Sequence, residues 1–328
     1  MNPSDLLQLS GGYWNVCALH AAVKLDVFSQ LDQGAASASD ISRRTGSDER
    51  GMTMLLNALT AIELLVKIED HYSIPPFSAI YLSKSSEKYL GHIILHHHHL
   101  MSSWARLDEA IITGGPLRSN TSCDDDKTKR ESFLMGMFNL ASLAAPLVVP
   151  AIDLSGRRSL LDLGGGPGTY AIHFCLHNPE LHAVIYDLPT TRHFAEKTIQ
   201  DFGLSDRISF SAGDIIADEI GSGYDVVWIS HLLHSEGPEG AAIMLKKAIQ
   251  SLMPGGLVIV QDFILNDDNA SPPFPALFSL NMLLGTQAGQ SYSQMELTDM
   301  MMQAGIRDIS RLPRVLPNGA GILTGIVA

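Results

Sequence analysis

The 328-residue sequence predicts an α/β fold: a parallel sheet wound by helices on both faces, preceded by a mostly helical module with the outline of a winged helix. Three observations predict it. From Ser159 onward, short β-rich runs alternate with helical stretches. The turn Gly164-Gly165-Gly166-Pro167-Gly168 joins the first of those runs to a helix. Before them, residues 1–90 carry apolar side chains every three to four positions, the period of an amphipathic helix.

Within residues 1–90 that period runs through Trp14 to Phe28 and again through Met52 to Leu65. Between the two, Ser39-Asp40-Ile41 and Gly46-Ser47-Asp48 each make a helix start, because a short polar side chain can cap the first free amides. Lys67 to Ile74, closing in Pro75-Pro76, reads as a short hairpin or wing. A winged helix suggests DNA, but this module has 7 Lys and Arg against 10 Asp and Glu, and the whole chain has 22 against 35, a net charge of −13. Non-specific nucleic-acid binding is mostly counterion release by basic residues, so no nucleic-acid partner is expected.

Residues 91–150 form a second helical stretch, a connector contributing to the pocket, with a polar break at Ser119 to Arg130 where Asp124-Asp125-Asp126 would be solvated loop. Residues 151–328 hold the strands: Ser159 to Leu163, Ala183 to Asp187, Ile208 to Ser211, Tyr224 to Ser230 and Leu257 to Phe263. Every apolar stretch is broken by a charge, Gly or Pro before the roughly 18 residues of a spanning helix, so no membrane segment is expected. MNPSDLLQLS lacks basic residues ahead of an apolar run, and Cys17, Cys123 and Cys175 make no CxxC pair. Both features suit a cytoplasmic, reducing location without a thiolate metal site.

The glycine turn ends a strand and opens a helix, where missing β-carbons let a ligand touch backbone. Gly166, Gly168 and Ala171 also satisfy the dinucleotide pattern G-x-G-x-x-G/A, which leaves a NAD-dependent oxidoreductase open. Charge separates the two ligands. Asp162, two residues before the turn, is an unfavourable neighbour for a pyrophosphate and a favourable one for the ammonium and sulfonium of S-adenosyl-L-methionine. Asp187, 23 residues after Gly164, ends the next strand where ribose hydroxyls are held, and Gly213-Asp214-Ile215 ends the third with a polar and an apolar contact for adenine.

Together with Tyr186-Asp187-Leu188-Pro189, Leu233-His234 and Leu252-Met253-Pro254-Gly255-Gly256, these runs resemble the SAM-dependent O-methyltransferases of the plant caffeate and bacterial polyketide type. The resemblance covers nearly the whole chain. It implies a Rossmann-like class I methyltransferase domain, an N-terminal winged-helix-like dimerisation domain, a homodimer and a small-molecule acceptor. It places Asp162, Gly164, Gly166, Asp187, Leu188, Asp214, Ile215 and Ser230 at the cofactor, Ser230 standing where the plant enzymes commonly carry Lys.

Methyl transfer to a hydroxyl requires removal of its proton, and a histidine suits that task near neutral pH. His234 falls at the family's catalytic histidine. Ser235-Glu236 replace the usual Asp-Trp, so Glu236 and Asp262 are both candidates to orient the imidazole, while His231 reads as a buried or capping histidine. The family's acceptor-facing helix corresponds to Phe278, Asn281 and Met282. His92, His96 and His99 share one helical face, with His97 and His98 beside them, and read as helix surface rather than a metal site; Trp104 reads as a core or interface anchor. Other readings are transfer to nitrogen, sulfur or carbon, SAM-dependent chemistry without methyl transfer, and a ligand-sensing regulator.

Overall fold

Polar caps and short glycine turns cut the chain into its elements. The computed structural model describes residues 2–119, 126–314 and 316–328. Of the expected acidic loop, Asp124 and Asp125 lie outside these, as does Cys123, while the Asp126 carboxylate accepts from the Thr128 and Lys129 amides.

Two units divide the chain, one of residues 1–101 with 131–139, the other of 102–130 with 140–328. In the first, α1 (Pro3–Gly11) opens with a capping box in which the Asp5 amide donates to Asn2 Oδ1 and the Asn2 amide to the Asp5 carboxylate. Helices α2 (Tyr13–Lys24), α3 (Ala38–Thr45), α4 (Glu49–Ala61) and α5 (Pro76–Leu82) follow, with Ser37 and Asp48 capping α3 and α4. Strands β1 (Ala36–Ser37), β2 (Val66–Ile68) and β3 (His71–Ser73) form an antiparallel sheet in the order β1-β3-β2. The hairpin expected at Lys67 to Ile74 is therefore present, and β1 adds a strand too short for periodicity to reveal. Ala22, Phe28, Ile41, Leu56, Leu59 and Tyr72 fill the core. Helix α1 buries nothing, and Leu6, Leu7, Leu9, Tyr13, Trp14 and Val16 of α1 and α2 are exposed.

Helices α6 (Gly91–Trp104), α7 (Leu107–Thr113) and α8 (Lys127–Val148) lead into the second unit. By length and composition the run Lys127–Ala151 could cross a membrane, because a mid-helix Gly136 and Pro146 do not lower its apolar average enough. Its Ala145, Val148 and Val149 are instead buried in the core under the sheet.

That sheet is built from β4 (Ser159–Leu163), α9 (Thr169–His177), β5 (His182–Asp187), α10 (Arg192–Asp201), β6 (Ile208–Ala212), β7 (Tyr224–Ser230), α11 (Pro238–Ser251) and β8 (Leu252–Leu265). Then come α12 (Pro273–Gly285), β9 (Tyr292–Ser293), α13 (Gln294–Gln303), β10 (Ile306–Arg311) and β11 (Ala320–Val327). The order is β10-β11-β8-β7-β4-β5-β6, with β9 beside β8. Strands β4 to β8 pair in parallel, but β11 is antiparallel to both β8 and β10. The expectation of a parallel sheet is corrected at this edge: β10 and β11 are joined by a short loop instead of a crossover helix, and a short loop permits only antiparallel pairing.

Central strands are buried on both faces. Leu160, Val226, Trp228 and Ile259 enter one apolar cluster and Leu161, Val227, Ile229, Val258 and Val260 the other. That two-sided burial is why these strands read as continuous apolar runs. The strand order reverses between β4 and β7, and at such a point the loops leaving the carboxyl ends part to make a crevice.

Candidate active site

At this crevice the turn after β4 is shaped by backbone. Gly164, Gly166 and Gly168 have φ of +71°, +56° and +81°, a region costly for any residue with a β-carbon. A β-carbon on Gly168 would collide with Ile185, and one on Gly165 would lie 2.5 Å from the Asp162 carboxyl carbon. The turn is pinned from outside as well: the Thr198 hydroxyl of α10 donates to the Pro167 carbonyl, and the Gly164 amide to the Tyr186 carbonyl at 2.8 Å.

The expected acids close three strands, each differently. Asp162 is 1% exposed and lies under the turn, accepting from the Ala171 amide at 3.2 Å. Burial pushes its carboxyl up to about 7, against the Ala171 hydrogen bond and helped by the charge of Asp187. Asp187 Oδ2 accepts from the Gly166 amide at 2.8 Å, and Oδ1 from Leu188 at 2.6 Å and the Thr191 hydroxyl at 3.1 Å. Burial still leaves it above the usual carboxylate range despite those bonds. Asp214 is exposed and caps its own turn through Ile216 and Ala217, while Lys247 ties the carbonyls of Ile216 and Asp218 to α11. Ile215 is buried in the core cluster of that face, and Ser230 ends β7, half-buried, opposite Gln261.

The histidine lies on the neighbouring strand ends. His234 sits in a 3-10 turn, Leu233–Ser235, and is 7% exposed. Its Nδ1 is 2.6 Å from Asp262 Oδ1 on β8, and that oxygen also accepts the Phe263 amide at 2.8 Å. Burial would raise Asp262, but the facing His234 and His231 outweigh it and hold the carboxyl below its usual range, ionised. An ionised carboxylate only accepts, so the proton sits on Nδ1 and Nε2 keeps its lone pair. Glu236, the other candidate, is half-buried and shifted upward by burial and by Asp214.

His231 adopts φ +51° at the end of β7. Its Nδ1 is 3.7 Å from Asp262 Oδ1, its Nε2 3.2 Å from Gln261 Nε2, and its ring centroid 4.3 Å from that of Phe263. Helix α12 brings Phe278 to 4.7 Å from the His234 ring, and Phe263 packs against Phe274 and Phe278 at 4.9 and 4.7 Å. Asn281 is one turn along. Its Oδ1 accepts from Trp104 Nε1 at 3.3 Å and Arg118 Nη2 at 3.0 Å, so Trp104 is a hydrogen-bonding partner of the helix more than an apolar anchor. Met282 is buried, and its carbonyl holds the Thr286 amide and hydroxyl.

The structure thus gathers His234 and Phe278 at one place, with Asp162, Gly164, Gly166, Asp187 and Leu188 around the glycine turn; Asn281 is engaged by Trp104 and Arg118, and Met282 is buried. Sequence reading missed Phe263, Phe274 and Tyr170. Phe263 follows the candidate Asp262 directly, which was a usable signal. Tyr170 packs its ring 4.6 Å from that of Trp228 and is pushed up to about 12 by burial, against the pull of the Gln261 and Ser230 side chains, a placement no spacing announces. Of the α6 histidines expected on the helix surface, His96 is instead buried at 7% exposure, His98 is shifted downward by burial, and buried His20 is lowered to about 4 by burial and by the charges of His98 and His97.

Comparison with known proteins shows the family. Residues 113–307 match the family described as O-methyltransferase domain, and residues 7–84 the O-methyltransferase dimerisation domain. The 3-hydroxy-5-methyl-1-naphthoate 3-O-methyltransferase of Streptomyces sahachiroi is 31% identical over 99% of this chain and 96% of its own length. The tetracenomycin polyketide synthesis 8-O-methyl transferase TcmO of Streptomyces glaucescens is 31% identical over 94% and 92%. The solved structure of PigF with SAH, a name borne by a Serratia sp. methyl transferase, matches with a TM-score of 0.90 at 25% identity over 99% of this chain and 100% of that one.

Proposed function

The chain belongs to the O-methyltransferase family, and from that premise we propose that it moves a methyl group from S-adenosyl-L-methionine to a hydroxyl of a small aromatic or polyketide-like acceptor, with His234 as general base. The observation that carries this reading is the 2.6 Å bond between His234 Nδ1 and the ionised Asp262, which leaves Nε2 as the proton acceptor beside Phe278. Membership of the family removes the dinucleotide reading of the glycine turn.

The residues present fit the cofactor. Three strand-end carboxylates, Asp162 beneath the glycine turn, Asp187 bonded to it and the exposed Asp214, suit a cationic ligand, and the open backbone at Gly166, where a β-carbon would touch nothing within 4 Å, leaves room against the turn. Asp162 would hold the ammonium group, Gly164, Gly166, Asp187 and Leu188 the ribose side, and Asp214 and Ile215 the adenine, with Ser230 at the end of β7. When bound, S-adenosylmethionine supplies a methyl group already activated by its positive sulfur.

What the chain adds is position and a proton acceptor. Holding the hydroxyl in line with the methyl group converts a bimolecular encounter into a local one, worth several powers of ten. His234 Nε2 takes the proton as the oxygen attacks, and Asp262, a positioning residue, fixes the tautomer and stabilises the imidazolium that results. Phe263, Phe274 and Phe278 offer flat apolar surface to a ring system of the hydroxynaphthoate kind named for the Streptomyces sahachiroi relative. Asn281 and Met282 follow Phe278 on α12 and are proposed to shape the same acceptor region.

The exposed apolar face of α1 and α2, within the segment matching the dimerisation domain, supports a homodimer, and 1–90, 91–150 and 151–328 are the corresponding functional divisions. The test is incubation with S-adenosylmethionine and a panel of hydroxynaphthoates and their amino analogues. O-methylated product with one S-adenosylhomocysteine per turnover is expected. Methylation of the amines alone would overturn the acceptor atom, and S-adenosylmethionine binding without methylation of any hydroxyl or amine would favour the reading in which the cofactor is bound for other chemistry.

A further inference from the structure

We propose that His231, His234 and Asp262 form a binding site for a divalent transition-metal ion of the zinc class, one whose occupancy silences the base. The inference adds to the proposed function and rests on it only for the silencing.

Among the described residues these three are the group whose ligand atoms converge, all within 4.8 Å of one another. The pairwise separations from Asp262 Oδ1, 2.6 Å to His234 Nδ1 and 3.7 Å to His231 Nδ1, bracket the about 3.3 Å expected between donors of a tetrahedral zinc with bonds of about 2.0–2.2 Å. Two neutral imidazoles and one carboxylate are a borderline-soft set that suits zinc, cobalt or nickel better than magnesium or calcium.

His231 is what makes this more than a catalytic pair. Its Nδ1 is buried and makes no hydrogen bond, and neither does Gln261 Oε1 beside it. With the Gln261 amide oxygen and nitrogen exchanged, Oε1 accepts from His231 Nε2–H, and Nδ1 keeps a lone pair 3.7 Å from Asp262 Oδ1, free for a cation. A second polar group fixing the far nitrogen is how ligating histidines are oriented. The backbone contributes too. A histidine at φ +51° is held in the left-handed region that residues with a β-carbon rarely adopt, and the turn keeps it there with the His231 amide bonded to the Gln261 carbonyl at 2.8 Å.

The exchange balances simply. Coordination through Nδ1 moves the His234 proton from Nδ1 to Nε2, so the ring stays neutral; three protein donors then hold the metal and a fourth position stays open. With Nδ1 on the metal and the ring proton on Nε2, His234 has no lone pair left to accept the proton of a hydroxyl.

The rival is α6, with His92 and His96 to His99 in one helix. The experiment therefore titrates the untagged full-length protein with Zn²⁺ by calorimetry and with Co²⁺ by visible absorption, in the parent and in His231→Asn, His231→Gly and His96→Ala/His99→Ala. Asn and Gly both tolerate the left-handed backbone, and retained S-adenosylmethionine binding shows that either variant is folded. One ion per chain is expected, with a tetrahedral cobalt spectrum, at least about tenfold weaker binding in both His231 variants and unchanged binding in the α6 double variant. Binding unaffected at His231, or lost with the α6 histidines, overturns the site. Zn²⁺ is also expected to stop methyl transfer reversibly, EDTA restoring it. Zinc held by His231 without loss of turnover would leave the metal site standing and count instead against His234 as the base.

Discussion

The two halves of the crevice are made of different material. On the cofactor side, the geometry is backbone: three glycines with positive φ, and acids whose oxygens are already engaged by the amides of Gly166, Leu188 and Ala171. On the acceptor side it is side chain: one imidazole, one carboxylate and three phenylalanines brought from β7, β8 and α12. A backbone cradle suits a ligand that is the same in every turnover. A wall of side chains can be exchanged residue by residue, which is how one fold serves different acceptors.

That contrast predicts variants whose effects fall on one half and spare the other. The largest effect is expected from Asp262→Asn, which keeps size but no longer fixes the Nδ1–H tautomer of His234. Turnover should fall about 10²- to 10⁴-fold with S-adenosylmethionine affinity unchanged, read by steady-state kinetics beside calorimetry. A parallel loss of cofactor binding would mean the halves are not separable.

Gly168→Ala is the converse. At φ +81°, with Ile185 in the path of the new methyl group, it should weaken S-adenosylmethionine binding at least about tenfold and lower the melting temperature by several degrees. Acceptor KM measured at saturating cofactor should barely move.

The smallest effect sharpens the cofactor half. Asp162 titrates at about 7 in the fold against 3.8 when unfolded, so its protonated form stabilises the fold fully below about 4, a contribution lost as pH rises through about 7. A cationic ligand favours the carboxylate, so S-adenosylmethionine should bind several-fold more tightly as pH climbs past 7. Asp162→Asn keeps an oxygen for the Ala171 amide and should flatten both profiles; a wild-type affinity independent of pH from 6 to 8 would remove the ammonium contact.

The same contrast explains what could be read in the sequence. Tight turns demand glycine and strand ends supply acids at regular intervals, so the turn at 164–168 and the acids at 162, 187 and 214 stand out along the chain. So do β4 and β7, whose boundaries match their apolar runs residue for residue. The C-terminal strands did not. Tyr292–Ser293 is two residues long, Ile306–Arg311 is mostly exposed, and Ala320–Val327 dilutes its apolar run with two glycines. Contacts that close over long separations left still less trace: Asp262 lies 28 residues from His234, and Trp104 lies 177 from Asn281. His231 showed nothing in the sequence beyond being a second histidine, because its role depends on a left-handed backbone and a buried neighbour.

The most direct test of the account is His234→Ala, with turnover and S-adenosylmethionine affinity measured on the same preparation. The account predicts a fall in kcat of about 10²- to 10⁴-fold and a cofactor affinity within about twofold of the parent. Undiminished methyl transfer to a hydroxyl would contradict it, since the proton would then be leaving by another route.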